Sequence, residues 1–190
     1  MKRGLGTRRP CPGSRCATAR SRSLFAAADA WYTASGLSAA ALLAVLDGLK
    51  VGYGLGLLVH EWGHFAGARR GGGIAPTTKV TQLFPVLLLD MQKSPDRAFK
   101  AMSVGGNVAH WSLALLFLTW VPLDAPGRVA LACGAFAFAF GASTTEFPVI
   151  RLSFTGASPV ESFAGLTDAK LRRNRWIGYA AGALPFAALV

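Results

Sequence analysis

Residues His60-Glu61-Trp62-Gly63-His64 are the part of this chain whose types and spacing can do chemistry. On a helix, positions i and i+4 share one face, about one turn apart. Two imidazoles placed this way can bind one Zn²⁺, with the intervening carboxylate beside the open coordination position as general base. Neutral imidazole nitrogens suit a borderline-soft ion, zinc lowers the pKa of its water to ~7, and a carboxylate can take the proton. The motif predicts His60 and His64 as metal ligands, Glu61 as the catalytic base and Zn²⁺ as the cofactor. Gly63 is expected to leave the helix surface bare beside the metal, so that a substrate backbone can approach.

The element that must position these groups is apolar. The chain as a whole is 52% hydrophobic and only 15% charged over 190 residues, against about 25% charged in a soluble domain. Such a composition reads as a membrane protein. Ionisable residues inside an apolar segment are costly and mark function by default. Here two of the three histidines and one of the three glutamates share one such segment. The competing reading is a polar cluster that bonds neighbouring helices or snorkels to the nearby helix end. A soluble zinc protease would need amphipathic helices, and the segments from Val51 to Ala68 and from Ala101 to Val121 are apolar all round.

Five apolar segments predict an all-α fold, a polytopic membrane bundle of four to five helices. They run from Leu24 to Leu46, Val51 to Ala68, Ala101 to Val121, Val129 to Thr145 with a Pro-containing continuation to Ile150, and Trp176 to Val190. A crossing needs ~20 residues, and the last segment, interrupted by Pro185, is expected to be interfacial or half-spanning. Asp47-Gly48-Leu49-Lys50 is expected to break the first segment from the second. Loop 71–100 predicts one or two short strands, or a re-entrant segment, over Thr77 to Leu89. Residues 1–23 are read as a basic, disordered cytoplasmic tail and 24–190 as the membrane domain. The tail, the loop after segment two and the loop Lys170–Arg175 are all basic, which places them together in the cytoplasm by the positive-inside rule.

The net charge of +11 is therefore mostly topological: seven of the basic residues, and no acid, lie in residues 1–23. No interleaved aromatics or binding fold accompany them, so a nucleic-acid partner is not expected. Cys11, Cys16 and Cys133 form neither a metal nor a disulfide pattern. Ala28-Asp29-Ala30 looks like a signal cleavage site, but the apolar run before it is too short, and Pro10-Cys11 spoils a twin-arginine reading of Arg8-Arg9.

The motif in this setting resembles the first motif of the site-2 protease family, intramembrane zinc metalloproteases: His60 to His64, then Phe65-Ala66-Gly67-Ala68-Arg69-Arg70. Residues Ser94 to Met102 and Ser103-Val104-Gly105-Gly106-Asn107-Val108-Ala109-His110 resemble the family's run into its Gly-Pro-x-x-Asn helix. Asn107 stands where the family has Pro, and His110 where it has the Asn that positions substrate. The likeness covers residues 51–120. The family's third ligand is an Asp from a later helix, in Asn-x-x-Pro-x-x-x-Leu-Asp-Gly. Here Pro148 and Leu152 fall in register, but Ser153 replaces the Asp, and a hydroxyl is a poor zinc ligand. Glu146 and His110 are the nearest substitutes, with Asp90 and Glu161 more distant; Glu146 also reads as a membrane-edge charge beside Arg151, and His110 as a helix–helix hydrogen bond.

The resemblance implies a divergent member: a zinc metalloendopeptidase of the bacterial cell membrane that cuts single-span membrane proteins, with its N-terminus cytoplasmic. A strand in loop 71–100 would pair with the unwound substrate. The alternative is a catalytically inactive relative that binds membrane proteins as a scaffold, motivated by Ser153. Glu61 opposes it, since a scaffold has no need of a base between two histidines.

Overall fold

The computed structural model describes residues 13–75 and 89–190, with side chains from residue 24 onward. Six helices follow in order: α1 Gly13–Ser35, α2 Ser38–Arg70, α3 Asp96–Trp120, α4 Pro126–Phe154, α5 Pro159–Ala164 and α6 Asp168–Leu189. The fold is an all-helical bundle, with no strand among the described residues. Three helices, α2, α3 and α4, are long and apolar enough to cross a membrane, and the chain is a membrane protein. The expected strand or re-entrant stretch at Thr77 to Leu89 falls, apart from Leu89, outside the described residues.

The first two apolar segments are not separate helices. The expected break at Asp47–Lys50 lies inside α2, which runs unbroken for 33 residues, about 50 Å at 1.5 Å per residue. The turn comes earlier, at Gly36, whose φ of 65° puts it in the left-handed region that ends helices. Its N–H closes on the Tyr32 carbonyl at 2.8 Å. Gly48 costs helix propensity, but it packs with its bare Cα face on the Gly127 carbonyl of α4, a contact that holds the helix through this point. Residues 13–23 are likewise not a structureless tail: α1 starts at Gly13, helped by the helix-favouring Ala and Arg there. Since 47–50 is no connection, the side of the N-terminus no longer follows from a count of crossings.

Small residues at a stride of four set the packing. On α2 the buried positions include Ala40, Ala44, Gly48, Gly52, Gly56, His60 and Ala68. On α3 they include Ala98, Met102, Gly106, His110 and Ala114, and on α4 Gly127, Leu131, Ala135, Ala139 and Ser143. Residues four apart form one ridge of a helix, and small side chains along it let backbones approach closely in lipid. The contacts give the directions. Gly48 meets Gly127 and Gly52 meets Leu131, so α2 and α4 run parallel; Gly63 meets Gly105 and Gly67 meets Ala101, so α2 and α3 run antiparallel. Gly178 and Gly182 of α6 meet Gly141 and Ala137 of α4, again antiparallel. Helix α4 is the hub, packed against α2, α3 and α6.

A methyl group at Gly52 would press on the Leu131 carbonyl and lie 3.0 Å from the Ala135 nitrogen. Gly52→Ala is therefore expected to destabilise by ~1–3 kcal/mol, read as a lower helix-melting temperature in detergent. Gly54→Ala, where nothing lies within 4 Å, is expected to melt with the wild type.

Two polar features tie the ends. Arg128 at the start of α4 bonds Asp29 of α1 at 3.0 Å and Asp124 at 2.8 Å. Ser158 and Glu161 cap α5 reciprocally, and the Ser158 hydroxyl and amide hold the Glu161 carboxyl below its ordinary range. Pro148 sits inside α4 and deprives the Thr144 carbonyl of its helical donor. Cys133 is a buried free thiol.

Candidate metal centre

The stride of four that packs α2 on α4 also aims the histidines. His60 continues the stripe Gly48, Gly52, Gly56, and His64 lies one turn further, so both rings face α4 where Glu146 projects from the same depth. His60 Nε2 and His64 Nε2 lie 3.0 Å apart. Glu146 Oε1 is 3.0 Å from the first and 2.9 Å from the second. These three atoms form a group that could hold a metal ion.

The surroundings fix each ligand. His64 Nδ1–H donates to the Met102 carbonyl of α3 at 2.8 Å, leaving its Nε2 lone pair facing the centre. His60 Nδ1 is 2.9 Å from His110 Nδ1. The second oxygen of Glu146 accepts from Asn107 Nδ2. Ser143 donates to Asn107 Oδ1 at 2.9 Å, and the Trp111 indole N–H donates to Ser143 Oγ at 2.8 Å. His60, Asn107, His110 and Ser143 are all buried, His110 completely. Two imidazole nitrogens and a carboxylate oxygen at mutual distances near 3 Å repel one another unless positive charge lies between them. A shared proton satisfies one pair at a time; a cation satisfies all three.

Beneath the rings α3 has no side chain. A Cβ on Gly106 would lie 2.7 Å from His64 Nε2 and 2.8 Å from His60 Cε1. Glu61 and Glu146 share with His64 a cavity of about 400 Å³ whose walls include Met91, Met102, Val149 and Phe163. His64 stands about one and a half turns from Arg69 at the end of α2.

The residues singled out in the sequence divide as follows. His60, His64 and Glu146 come together. His110 is not in this group: its Nδ1 meets the far side of the His60 ring, so it stands behind His60. Asn107 grips the carboxylate. Glu61 faces the cavity and, among the described residues, makes no side-chain hydrogen bond. Ser153 turns away, donating to the Ile150 carbonyl of its own helix, and Asp90 and Glu161 are spent on local turns and caps. Gly63 is not open to substrate: it packs on the Gly105 backbone, and the bare surface beside the rings belongs to Gly106. Ser143 and Trp111 are not legible as site residues in the sequence, although Ser143 lies one turn before Glu146 on an otherwise apolar stripe, and Met102 and Gly106 are named there only within the second family-like motif.

Comparison of this chain with protein-family models, with curated proteins and with solved structures finds no match in any of the three.

Proposed function

We propose that the chain is a membrane-embedded zinc metalloendopeptidase, a divergent relative of the site-2 proteases, in which Glu146 takes the place of the family's ligating Asp. The supporting observation is the triangle of His60 Nε2, His64 Nε2 and Glu146 Oε1 with Glu61 on the adjoining cavity. His₂Glu with one open position is a donor set of catalytic zinc, and an ideal tetrahedron at ~2.0–2.1 Å has edges of ~3.3–3.4 Å. The triangle, 2.9–3.0 Å on a side, needs to open by only a few tenths of an ångström.

When bound, zinc supplies Lewis acidity to a peptide carbonyl and to water. Everything else is done by the chain. Glu61 accepts the proton from water and delivers it to the departing amine, the role of a general base and then acid. Asn107 holds Glu146 so that only one of its oxygens faces the histidines. The apolar cavity walls take an unwound stretch of a substrate's membrane segment. The basic residues Arg69, Arg70, Lys93, Arg97, Lys100 and Lys170 to Arg175 gather at this end of the bundle, which supports a cytoplasmic orientation by the positive-inside rule; the proposed membrane is that of a bacterial cell. The substrate class is single-span membrane proteins.

The test is zinc per chain in detergent. The wild type is expected to hold one equivalent, and Glu146→Ala to lose it, while His110→Ala keeps it with weakened affinity. A metal-free wild type overturns the proposal. Stoichiometric zinc with no hydrolysis of any membrane-segment peptide favours the non-catalytic scaffold instead.

A further inference from the structure

An imidazole binds a metal only through a nitrogen that carries no proton, so His60 must hold its proton on Nδ1 if Nε2 is to serve. Outer partners of ligating histidines set this choice, and the donors and acceptors around His60 decide it by elimination. The Glu146 carboxylate accepts only, so the Asn107 amide must turn its NH₂ toward it and its Oδ1 toward Ser143. The Ser143 hydroxyl then spends its single proton on Asn107 Oδ1. The Trp111 indole can only donate, and it donates to the same Ser143 oxygen. Ser143 can therefore only accept from His110 Nε2, 3.3 Å away. That places the His110 proton on Nε2 and leaves Nδ1 bare. His60 Nδ1, 2.9 Å from it, must be the donor, and His60 Nε2 is left with its lone pair aimed at His64 and Glu146.

We infer that Ser143 is a positioning residue: its hydroxyl sets the tautomer of His110, and through His110 that of His60, so that the ligating lone pair is ready before any ion arrives. Serine in a membrane helix commonly bonds back to the carbonyl four residues earlier. Ser103 and Ser112 do so here, on Phe99 and Val108. Ser143 instead spends its proton across to α3. The oxygen is saturated, with one bond given and two received, and it touches no ligating atom. Its consequence for metal binding rests on the metal-centre reading; the proton pattern does not.

The chain has three histidines, so ring-¹⁵N labelling of the full protein in micelles, metal-free and at mildly alkaline pH, yields three ring systems. Protonated Nδ1 on His60 and His64 and protonated Nε2 on His110 are expected. In Ser143→Ala the His60 and His110 signals should become tautomer-averaged and zinc affinity should fall ~10–100-fold; Ser143→Thr, which keeps the hydroxyl, should restore both. A wild-type His110 protonated on Nδ1 overturns the inference, and so does a Ser143→Ala protein with wild-type tautomers and zinc affinity. If Ser143→Ala does not fold, the wild-type spectrum decides alone. The expected tautomers in a protein that binds no zinc would uphold this inference and overturn the metalloprotease reading.

Discussion

If the chain is the proposed zinc protease, Glu61→Gln is expected to keep zinc and lose hydrolysis. The atoms that could hold a metal ion are His60 Nε2, His64 Nε2 and Glu146 Oε1, and Glu61 is not among them. Glu61 lines the same cavity as His64 and Glu146. The amide of Gln fills the same volume but cannot take a proton. Cleavage of a membrane-segment peptide should fall by ~10²–10⁴-fold, the range that general acid–base catalysis supplies. Zinc content should stay at the wild-type value. Loss of zinc with the substitution would make Glu61 a ligand, and undiminished cleavage would place the base elsewhere.

Gly106→Ala should weaken metal binding strongly without replacing any donor. Its new methyl would lie 2.7 Å from His64 Nε2 and 2.8 Å from His60 Cε1, well inside contact distance. Either the rings rotate out of the triangle or α3 backs away from α2, which costs ~1–3 kcal/mol of overpacking. Retreat of α3 also withdraws the Met102 carbonyl from His64 Nδ1 and Asn107 from Glu146. Losing two such outer partners, at ~10–100-fold each, should lower zinc affinity by on the order of 100-fold or more. Isothermal titration of the variant against wild type measures it. An unchanged affinity would show that α3 does not support the centre.

The ligands on α2 are legible because a single helical turn carries them, and local periodicity needs no tertiary knowledge. Glu146 is legible as the nearest carboxylate, but its sequence surroundings do not separate a ligand from a charge at the membrane edge. Only the parallel packing of α2 and α4 brings it to the histidines. His110 misleads for the same reason: histidine is a good ligand and a good hydrogen-bond partner, and which of the two it becomes depends on the direction of its ring.

The expected break at Asp47–Lys50 is misplaced because its polar residues are weighted above the small-residue stripe. Asp47, Gly48 and Lys50 read as a polar link, while Ser35-Gly36 is the turn. The stripe Ala40, Ala44, Gly48, Gly52, Gly56, His60 passes straight through the supposed link and was there to be counted. A small residue every fourth position is a packing signal in lipid, and it outweighs two charges that a helix can carry on its far side.

Such regularity has a drawback. Surfaces that repeat every four residues fit nearly as well after sliding by one repeat, about 6 Å along the axis, much as an all-apolar coiled coil tolerates staggered alignments until one buried Asn forbids them. His60, His110 and Ser143 each occupy one repeat of their own helix and bond in series across the helices, His60 to His110 and His110 to Ser143. Displaced by one repeat along α3, His60 would face Gly106 or Ala114 in place of His110, with its Nδ1 unmet. The cluster therefore acts as a locating pin for the assembly of α2, α3 and α4, and the bundle can close in one alignment only.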